Sequence, residues 1–190
     1  MRWNSAYHIL NRLVPHKSSF SVFIQTHYPT GEGEPMLLTE SHWYVDEHIL
    51  SFLELFYDST IALSALYDPT SALILHHIIE IAAHLNNFEN DNLLRSVVVP
   101  MKDKFLKYWR DIPMLYSIAF IMDPRANIRG FNKALSLLSN LSGTNYSPYL
   151  TEVRAQLSTM FNKYDEKFGA VRTQRPSQPA SSGKKKSAWG

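Results

Sequence analysis

Two histidines and a glutamate recur at the spacing of helical turns, and side chains of these types could bind a metal ion. His76 and Glu80 are four residues apart and His84 follows four residues later, so a helix would place all three on one face. The order differs from the HExxH pattern of metalloproteases, and a further ligand would have to come from elsewhere in the chain. We therefore expect a structural role for these side chains, and we predict neither a metal nor a cofactor.

A basic face follows further along the chain, where the phosphate groups of a nucleic acid could bind. Lys102, Lys104 and Lys107 lie largely off the apolar positions of a predicted helix, and Arg110 extends the same face. A solvated helix face without a ligand is the alternative interpretation. The neighbouring apolar residues could line a ligand cage, but their helical spacing favours packing in the core. These residues are Met101, Phe105, Tyr108 and Trp109.

The carboxylates are scattered along the chain instead of being paired. None is predicted to lie on a strand beside another, as two-metal phosphoryl-transfer sites normally require. Asp123 precedes a proline, and we expect it to end a helix and to accept backbone N–H groups or pair with Arg125. The sequence contains no cysteine, which excludes thiolate zinc sites and cysteine nucleophiles. Residue chemistry alone therefore predicts no enzyme.

Apolar residues at three- and four-residue spacing predict an irregular all-α, multi-helix domain. Pro100 is expected to kink or restart one helix, because proline lacks the backbone N–H group. Proline and glycine predict a loop at 29–38, and the loss of apolar residues from Gly169 predicts a domain over 1–168 with a disordered basic tail over 169–190. The predicted helices cover 2–14, 17–28, 42–67, 70–86, 91–109, 113–122, 127–141 and 148–168.

The first and last predicted helices each carry an apolar stripe. Trp3, so near the start of the chain, would need other residues to cover it, and we expect the chain to be cut at its front and loosely packed over 2–14. In the last helix the stripe is expected to face inward. Its residues are Leu150, Val153, Leu157, Phe161 and Tyr164.

Charge is divided unevenly between the two halves of the 190-residue chain. Residues 1–100 carry four lysines and arginines against eleven acids, whereas residues 101–190 carry fifteen against six. The basic half could meet an anionic partner such as a nucleic acid, although part of its charge lies in the tail, including Lys184, Lys185 and Lys186. No run of about 18 apolar residues occurs, so no contact with a membrane is predicted.

Five short motifs in order resemble those of plant hAT-superfamily transposases, of the domesticated RICESLEEPER/DAYSLEEPER type with a BED zinc finger. The resemblance covers about residues 2–168, with departures at Pro100 and at Asp68, which stands before the family's Pro-Thr pair. The motifs are RWNSAY at 2–7, FLELFYDST at 52–60, SALYDPT at 64–70, MKDKFLKYW at 101–109 and IAFIMDPR at 118–125.

The resemblance implies the helical insertion region of an RNase-H-like transposase and a nuclear protein that binds DNA. It also implies that Arg2 and Trp3 lie near the cut DNA end, where the tryptophan would stack on an unstacked nucleotide. Lys102, Lys104 and Lys107 are further candidate DNA contacts. The family's catalytic acids and BED finger are expected outside this chain, which would then be a non-catalytic fragment.

Two other interpretations remain open at the level of sequence. The helices could form a protein-interaction module whose exposed apolar faces bind a partner or a second copy of the chain. Alternatively, the chain could be a gene remnant with no selected role. A measurement of DNA binding at a controlled salt concentration would separate the DNA-binding interpretation from these two.

Overall fold

The computed structural model of the protein describes residues 2–27, 38–65 and 70–172. Residues 170–172 are described by their backbone alone. Within these ranges the chain forms eight α-helices and two short 3-10 segments and no strand, which confirms the all-α fold class. The helices are α1 Trp3–Leu13, α2 Lys17–His27, α3 Glu40–Leu63, α4 Ile74–Phe88, α5 Arg95–Trp109, α6 Met114–Met122, α7 Asn127–Ser142 and α8 Ser147–Arg172.

Several predicted features fall outside the described residues. These are most of the loop predicted at 29–38, the Asp68-Pro69 pair, and the predicted tail from residue 173 with its three consecutive lysines. The last helix continues to Arg172, four residues beyond its predicted end. Among the helices that the structure describes, none combines the length and the apolar character needed to cross a membrane.

The chain divides into two compact units, Met1–Leu150 and Thr151–Gly190. The described part of the second unit is the remainder of α8. Phe161 and Tyr164 were predicted to face inward, but 62% and 64% of their surfaces are exposed, so that prediction is wrong. Spacing identifies an apolar stripe on a helix, but it cannot say which residues of that stripe are buried.

Pro15 lies where the first helix gives way to the second, but it does not open a loop. The backbone passes through the 3-10 segment Val14–His16 and enters α2 at Lys17. Proline is tolerated in the first turn of a helical segment because the N–H group that it lacks would have no partner there. The gap between the helices predicted at 2–14 and 17–28 is therefore a short 3-10 segment and not a loop.

An apolar cluster joins α3, α4 and α5. Phe52 of α3, Leu85 of α4 and Val98 of α5 are buried in it together with Leu94. The His84 ring stacks on Phe52 with a centroid distance of 5.3 Å, and its Nε2 atom lies 2.9 Å from the carbonyl oxygen of Phe52. This contact satisfies the polar edge of a histidine that is packed among aromatic rings.

Pro100 lies inside α5 without restarting it. The helix is continuous from Arg95 to Trp109, so the predicted restart does not occur. Pro100 and Ser96, four residues earlier, are both exposed. The Ser96 carbonyl, which would accept a hydrogen bond from the N–H group that Pro100 lacks, is therefore on a side open to water. Val98, on the opposite side of the helix, is buried in the core.

A second group of buried side chains connects α4 to α6 and α7. Leu75 and Ile78 of α4 are buried, and Phe131 of α7 has no exposed surface and lies 6.1 Å from Phe120 of α6, measured between ring centroids. One side of α4 packs against α5 and another side packs against α7. The helix is therefore apolar over most of its circumference. This central helix therefore fixes α5 and α7 relative to each other.

The aromatic residues of α5 separate into two groups. Phe105 and Trp109 are half-buried and their ring centroids are 6.3 Å apart, and Trp109 lies 6.4 Å from Tyr116 of α6. Tyr108 is 81% exposed, so its predicted place in the core is wrong. Three residues of helix turn Tyr108 by about 60° from Phe105, which moves it beyond the edge of the apolar stripe.

The corner between α6 and α7 is built as the sequence predicts. The Oδ1 atom of Asp123 accepts hydrogen bonds from the Arg125 backbone N–H and from Nε, each at 2.9 Å, and Oδ2 accepts from Nη2 at 2.6 Å. The side-chain oxygen of Asn127, whose φ is positive (57°), accepts from the backbone N–H of Arg129. Together these contacts end one helix and begin the next.

Acid should weaken this corner in a defined pH range. Hydrogen bonds from Arg125 lower the pKa of Asp123 from 3.8 to about 2. The folded state therefore binds this proton less readily than the unfolded state, and the stabilisation is complete above about pH 4 and lost as the pH falls to about 2. Urea unfolding between pH 2 and 5 should show a smaller loss of stability for Asp123→Asn than for the unchanged chain.

The variant Arg125→Gln should act in the same direction as Asp123→Asn but less completely, because it removes the side-chain donor that lowers the pKa of Asp123 and leaves the backbone N–H of residue 125 in place. Identical pH profiles for the unchanged chain and both variants would contradict the assignment.

Candidate nucleic-acid interface

The C-terminal half of α5 presents cations around an exposed aromatic ring. Lys104, Lys107 and Arg110 are all exposed, and none of them forms an ion pair with another residue that the structure describes. Tyr108 lies four residues after Lys104 and next to Lys107. This arrangement offers charge for phosphate groups and a ring for base or sugar stacking.

Lys102 differs from the other predicted DNA contacts. Its side chain is only 16% exposed, and its Nζ atom donates a 2.7 Å hydrogen bond to Oε2 of Glu89, which follows α4. The positive charge is therefore already compensated within the protein. This geometry favours a structural role for Lys102, in which it ties the end of α4 to α5.

The last turn of α5 is anchored by a residue far along the chain. The hydroxyl group of Tyr146 donates a hydrogen bond to the Trp109 carbonyl oxygen at 3.1 Å. That carbonyl belongs to the helix end, where backbone acceptors have no partner within the helix. Tyr146 is 5% exposed, and burial raises the pKa of its phenol. The α7–α8 loop that carries Tyr146 is thus held against the end of α5.

The same loop has a conformation dictated by glycine. Gly143 has a φ of 69°, in the left-handed region, and its N–H donates to the Ser139 carbonyl at 2.8 Å, which ends α7. The N–H of Thr144 then donates to Oγ of Ser142 at 3.2 Å. The Ser142 and Thr144 side chains lower the pKa of the Tyr146 phenol and so partly offset the effect of burial.

A cleft of about 410 Å³ lies between α5 and this loop. Its walls combine two cations, two hydroxyl groups and one carboxylate, and the cations and hydroxyl groups are suitable partners for a phosphate oxygen. The lining residues are Asp103, Leu106, Lys107, Arg110, Ser142 and Thr144. Lys107 was predicted to contact DNA, and Arg110 was predicted to extend the same basic face. The structure adds Ser142 and Thr144 as the opposite wall of the cleft.

Arg2 and Trp3 occupy a separate place, at the start of α1. The edge of the Trp3 ring approaches Phe56 of α3, with centroids 6.5 Å apart, and 44% of the tryptophan surface stays exposed. Arg2 is also exposed. Tyr7, one turn further along, is buried and stacks on Tyr57 at 4.3 Å. In the described part of the chain, no hydrogen bond, ion pair or ring contact joins Trp3 to Lys104 or Lys107.

The histidines of α4 are used in contacts within the protein. His76 and His77 both lie near the Glu80 carboxylate, at 3.1 and 3.2 Å, and Nδ1 of His77 is also 3.1 Å from Oγ of Ser59. Within the residues that the structure describes, no three His, Asp or Glu side chains are grouped as metal ligands. His84 makes the contact with Phe52 described above.

Sequence reasoning missed the loop side of the cleft. The sequence predicts a loop at 142–147, between the helices predicted at 127–141 and 148–168, and the structure has this loop at 143–146, with Ser142 and Ser147 in the flanking helices. Nothing local shows that this loop reaches α5, because the tie between Tyr146 and Trp109 spans 37 positions in the sequence. The one indication in the sequence was Tyr146 itself, because an aromatic residue at the end of a polar loop suggests a contact with the core.

Known proteins match most of the chain. Residues 72–164 match the family model "hAT-like transposase, RNase-H fold". The zinc finger BED domain-containing protein RICESLEEPER 1 of Oryza sativa subsp. japonica is 27% identical over 86% of this chain and 22% of its own length. RICESLEEPER 2 of the same plant is 27% identical over 76% of the chain and 20% of its own length.

DAYSLEEPER of Arabidopsis thaliana, another zinc finger BED domain-containing protein, is 24% identical over 67% of the chain and 18% of its own length. The chain thus spans about a fifth of the length of these curated relatives. No solved structure matches it.

Loss of the Tyr146 hydroxyl group should weaken the tie between the loop and α5. Tyr146→Phe should lower the free energy of unfolding by about 0.5–1.5 kcal/mol, the usual contribution of one buried hydrogen bond. Tyr108→Phe removes the same group from an exposed ring and should change stability by less than about 0.5 kcal/mol. Equal effects in urea denaturation would contradict the role given to Tyr146.

Proposed function

We propose that this chain, a homologue of hAT-like transposase proteins, binds DNA through the exposed face of α5. The observation that carries the proposal is the group formed by Lys104, Lys107 and Tyr108, which lies inside the matched region. Arg110 adds a fourth side chain. Neither the two lysines nor Arg110 forms an ion pair with a residue that the structure describes.

The physical basis is electrostatic, with a contribution from stacking. A lysine that binds a phosphate group releases condensed counterions, so each contact strengthens binding at low salt. An exposed tyrosine between lysines can stack on a base or a sugar, which is useful where DNA is unpaired or distorted. The single face of one helix is small, so we expect modest affinity and strong dependence on salt.

Arg2 and Trp3 form a second proposed contact. Nearly half of the Trp3 surface is open, while Phe56 supports the other part of the ring, and Arg2 lies beside it at the helix start. A ring held in this way can stack on a nucleotide that has left the duplex. The support from Phe56 is what separates Trp3 from an unrestrained surface residue.

The proposed role is binding without catalysis. The chain spans about a fifth of its curated relatives, and we propose that the catalytic carboxylates and zinc finger of the family lie in other parts of such proteins. A DNA-binding role also places the protein in the nucleus. The proposed domain covers residues 1–168, and the proposed basic tail over 169–190 adds non-specific attraction to DNA.

Two lysines of α5 provide a matched test of DNA binding. Lys104→Gln removes an exposed charge, whereas Lys102→Gln removes a charge that Glu89 already compensates. Binding to duplex DNA should therefore become less dependent on salt for Lys104→Gln, with the slope of log K against log salt reduced by about 0.9. The slope for Lys102→Gln should stay unchanged.

Fluorescence anisotropy between 50 and 200 mM salt measures both slopes, and the tail is present in every variant. Equal slopes for the two variants would contradict a contact through the face of α5. Unchanged binding by Lys104→Gln, Lys107→Gln and Tyr108→Ala together would remove this face from the proposal.

A second candidate function is association through α8. Its outer part exposes a continuous apolar stripe of aromatic and methionine side chains at helical spacing. The members of this stripe are Met160 (39% exposed), Phe161 (62%), Tyr164 (64%) and Phe168 (49%). Such a stripe on a helix is suited to packing against the apolar face of another helix, including that of a second copy of the chain.

Association through α8 predicts a mass that depends on concentration. Light scattering of the chain at increasing concentration should show the mass rising toward that of a dimer. Phe161→Ser combined with Tyr164→Ser should abolish the rise, whereas Lys163→Ser on the same helix should leave it unchanged. A monomer at all concentrations would contradict self-association.

A further inference from the structure

We propose that the cleft between α5 and the α7–α8 loop is an anion site that holds one phosphate group. In a DNA complex this group is a single phosphate of the backbone. The site would be one part of the proposed DNA-binding surface. Only the source of the phosphate group, a DNA backbone, rests on the proposed function. Its lining supplies the charge and the hydrogen-bond donors that one phosphate requires.

The charged wall of the cleft comes from α5. Lys107 and Arg110 are three residues apart, which places them one above the other on a helix. A guanidinium group presents parallel N–H donors that match two oxygens of one phosphate, and an ammonium group adds a point charge. Because neither cation has an ionic partner among the described residues, both are free to act on a ligand in the cleft.

The uncharged wall comes from the loop. Ser142 and Thr144, which both carry hydroxyl groups, line the cleft. The Thr144 backbone N–H donates to Oγ of Ser142 at 3.2 Å, and the hydroxyl group of Tyr146 in the same loop donates to the end of α5. A hydroxyl hydrogen can turn from one acceptor to another, so these groups can donate to a phosphate oxygen. The loop is thus fixed before the ligand arrives, which lowers the entropy cost of binding.

Asp103 distinguishes this cleft from a simple basic patch. Its carboxylate lies in the same lining as Lys107, four residues later on α5, and the two do not form an ion pair. Two cations against one carboxylate leave a net charge of +1 in the cleft. Asp103 therefore weakens the binding of an anion, and its removal should strengthen it.

The position of the cleft links it to the exposed face of α5. Lys104 lies one turn before Lys107, and Tyr108 is the next residue after Lys107. A DNA strand that contacts Lys104 and Tyr108 consequently passes the cleft, and one of its phosphates can enter. Lys107 then belongs to both surfaces and joins them.

The number of phosphates bound can be measured from the salt dependence of duplex binding by the full chain. Lys107→Gln and Arg110→Gln should each weaken binding, and the double variant should reduce the slope of log K against log salt by about 0.9, because both cations act on one phosphate. A reduction of about 1.8 would mean two separate phosphates and would overturn the single-phosphate site. Asp103→Asn should bind more tightly than the unchanged chain.

Lys133→Gln is the matched control, because Lys133 is an exposed cation of α7 outside the cleft lining. All four substituted side chains of the test are exposed, and circular dichroism confirms that each variant keeps its helices. Tighter binding by Asp103→Asn together with unchanged binding by Lys133→Gln supports the site. Equal effects of Lys133→Gln and Arg110→Gln would overturn it.

A second measurement identifies the source of the phosphate. Backbone amide signals of Gly143 and Thr144 are followed by NMR while either duplex DNA or inorganic phosphate is added to the full chain. Shifts with duplex alone support a backbone phosphate, and shifts with both support a general phosphate site. The absence of shifts with either ligand overturns the proposal.

The outcome also separates this site from the proposed function. If Lys104→Gln weakens DNA binding while the Gly143 and Thr144 signals do not move, the cleft proposal fails and the DNA-binding proposal stands. If duplex does not bind at all but inorganic phosphate shifts both signals in a way that Arg110→Gln abolishes, the cleft stands and DNA binding fails.

Discussion

The packing of Phe52, Leu85 and Val98 against one another is the interaction on which the rest of the first unit depends. These side chains come from α3, α4 and α5, and each is almost completely removed from water. Their burial is worth about 1.5–3 kcal/mol each, far more than any exposed ion pair of the surface. Because this cluster fixes the orientation of α5, it also fixes the directions in which the exposed side chains of α5 point. Arg110 and Lys107 can then meet the loop that follows α7.

The helix α5 shows how one segment serves two purposes. Its apolar positions reach the core, its exposed positions carry charge, and Lys102 lies between the two and pairs with Glu89. A helix with this many cations would suffer mutual repulsion if all of them lay on one stripe. The partial burial of Lys102 relieves that repulsion and also ties α5 to the end of α4. The charge that is left for a ligand is correspondingly smaller than the sequence suggests.

Much of the fold follows from local pattern, and less of the site does. Helical spacing located the helices, and the Asp123–Arg125 corner needed only two neighbouring residues with complementary chemistry. The exposure of single residues was harder to predict, because Tyr108 lies just beyond the edge of its apolar stripe and Phe161 lies on a stripe that is exposed. The charged wall of the cleft was visible as a basic face. Its opposite wall was not, since only the fold brings Thr144 to α5.

The hydrogen bond between Tyr146 and Trp109 closes a loop of 37 positions that contains all of α6 and α7. Closing such a loop has an entropic cost that only the packing of those two helices can offset. The cleft therefore requires the native packing of α6 and α7 on α4. A chain in which α6 or α7 is displaced would keep the exposed lysines of α5 but would lack the second wall of the cleft, so the proposed anion site depends on helices that do not line it.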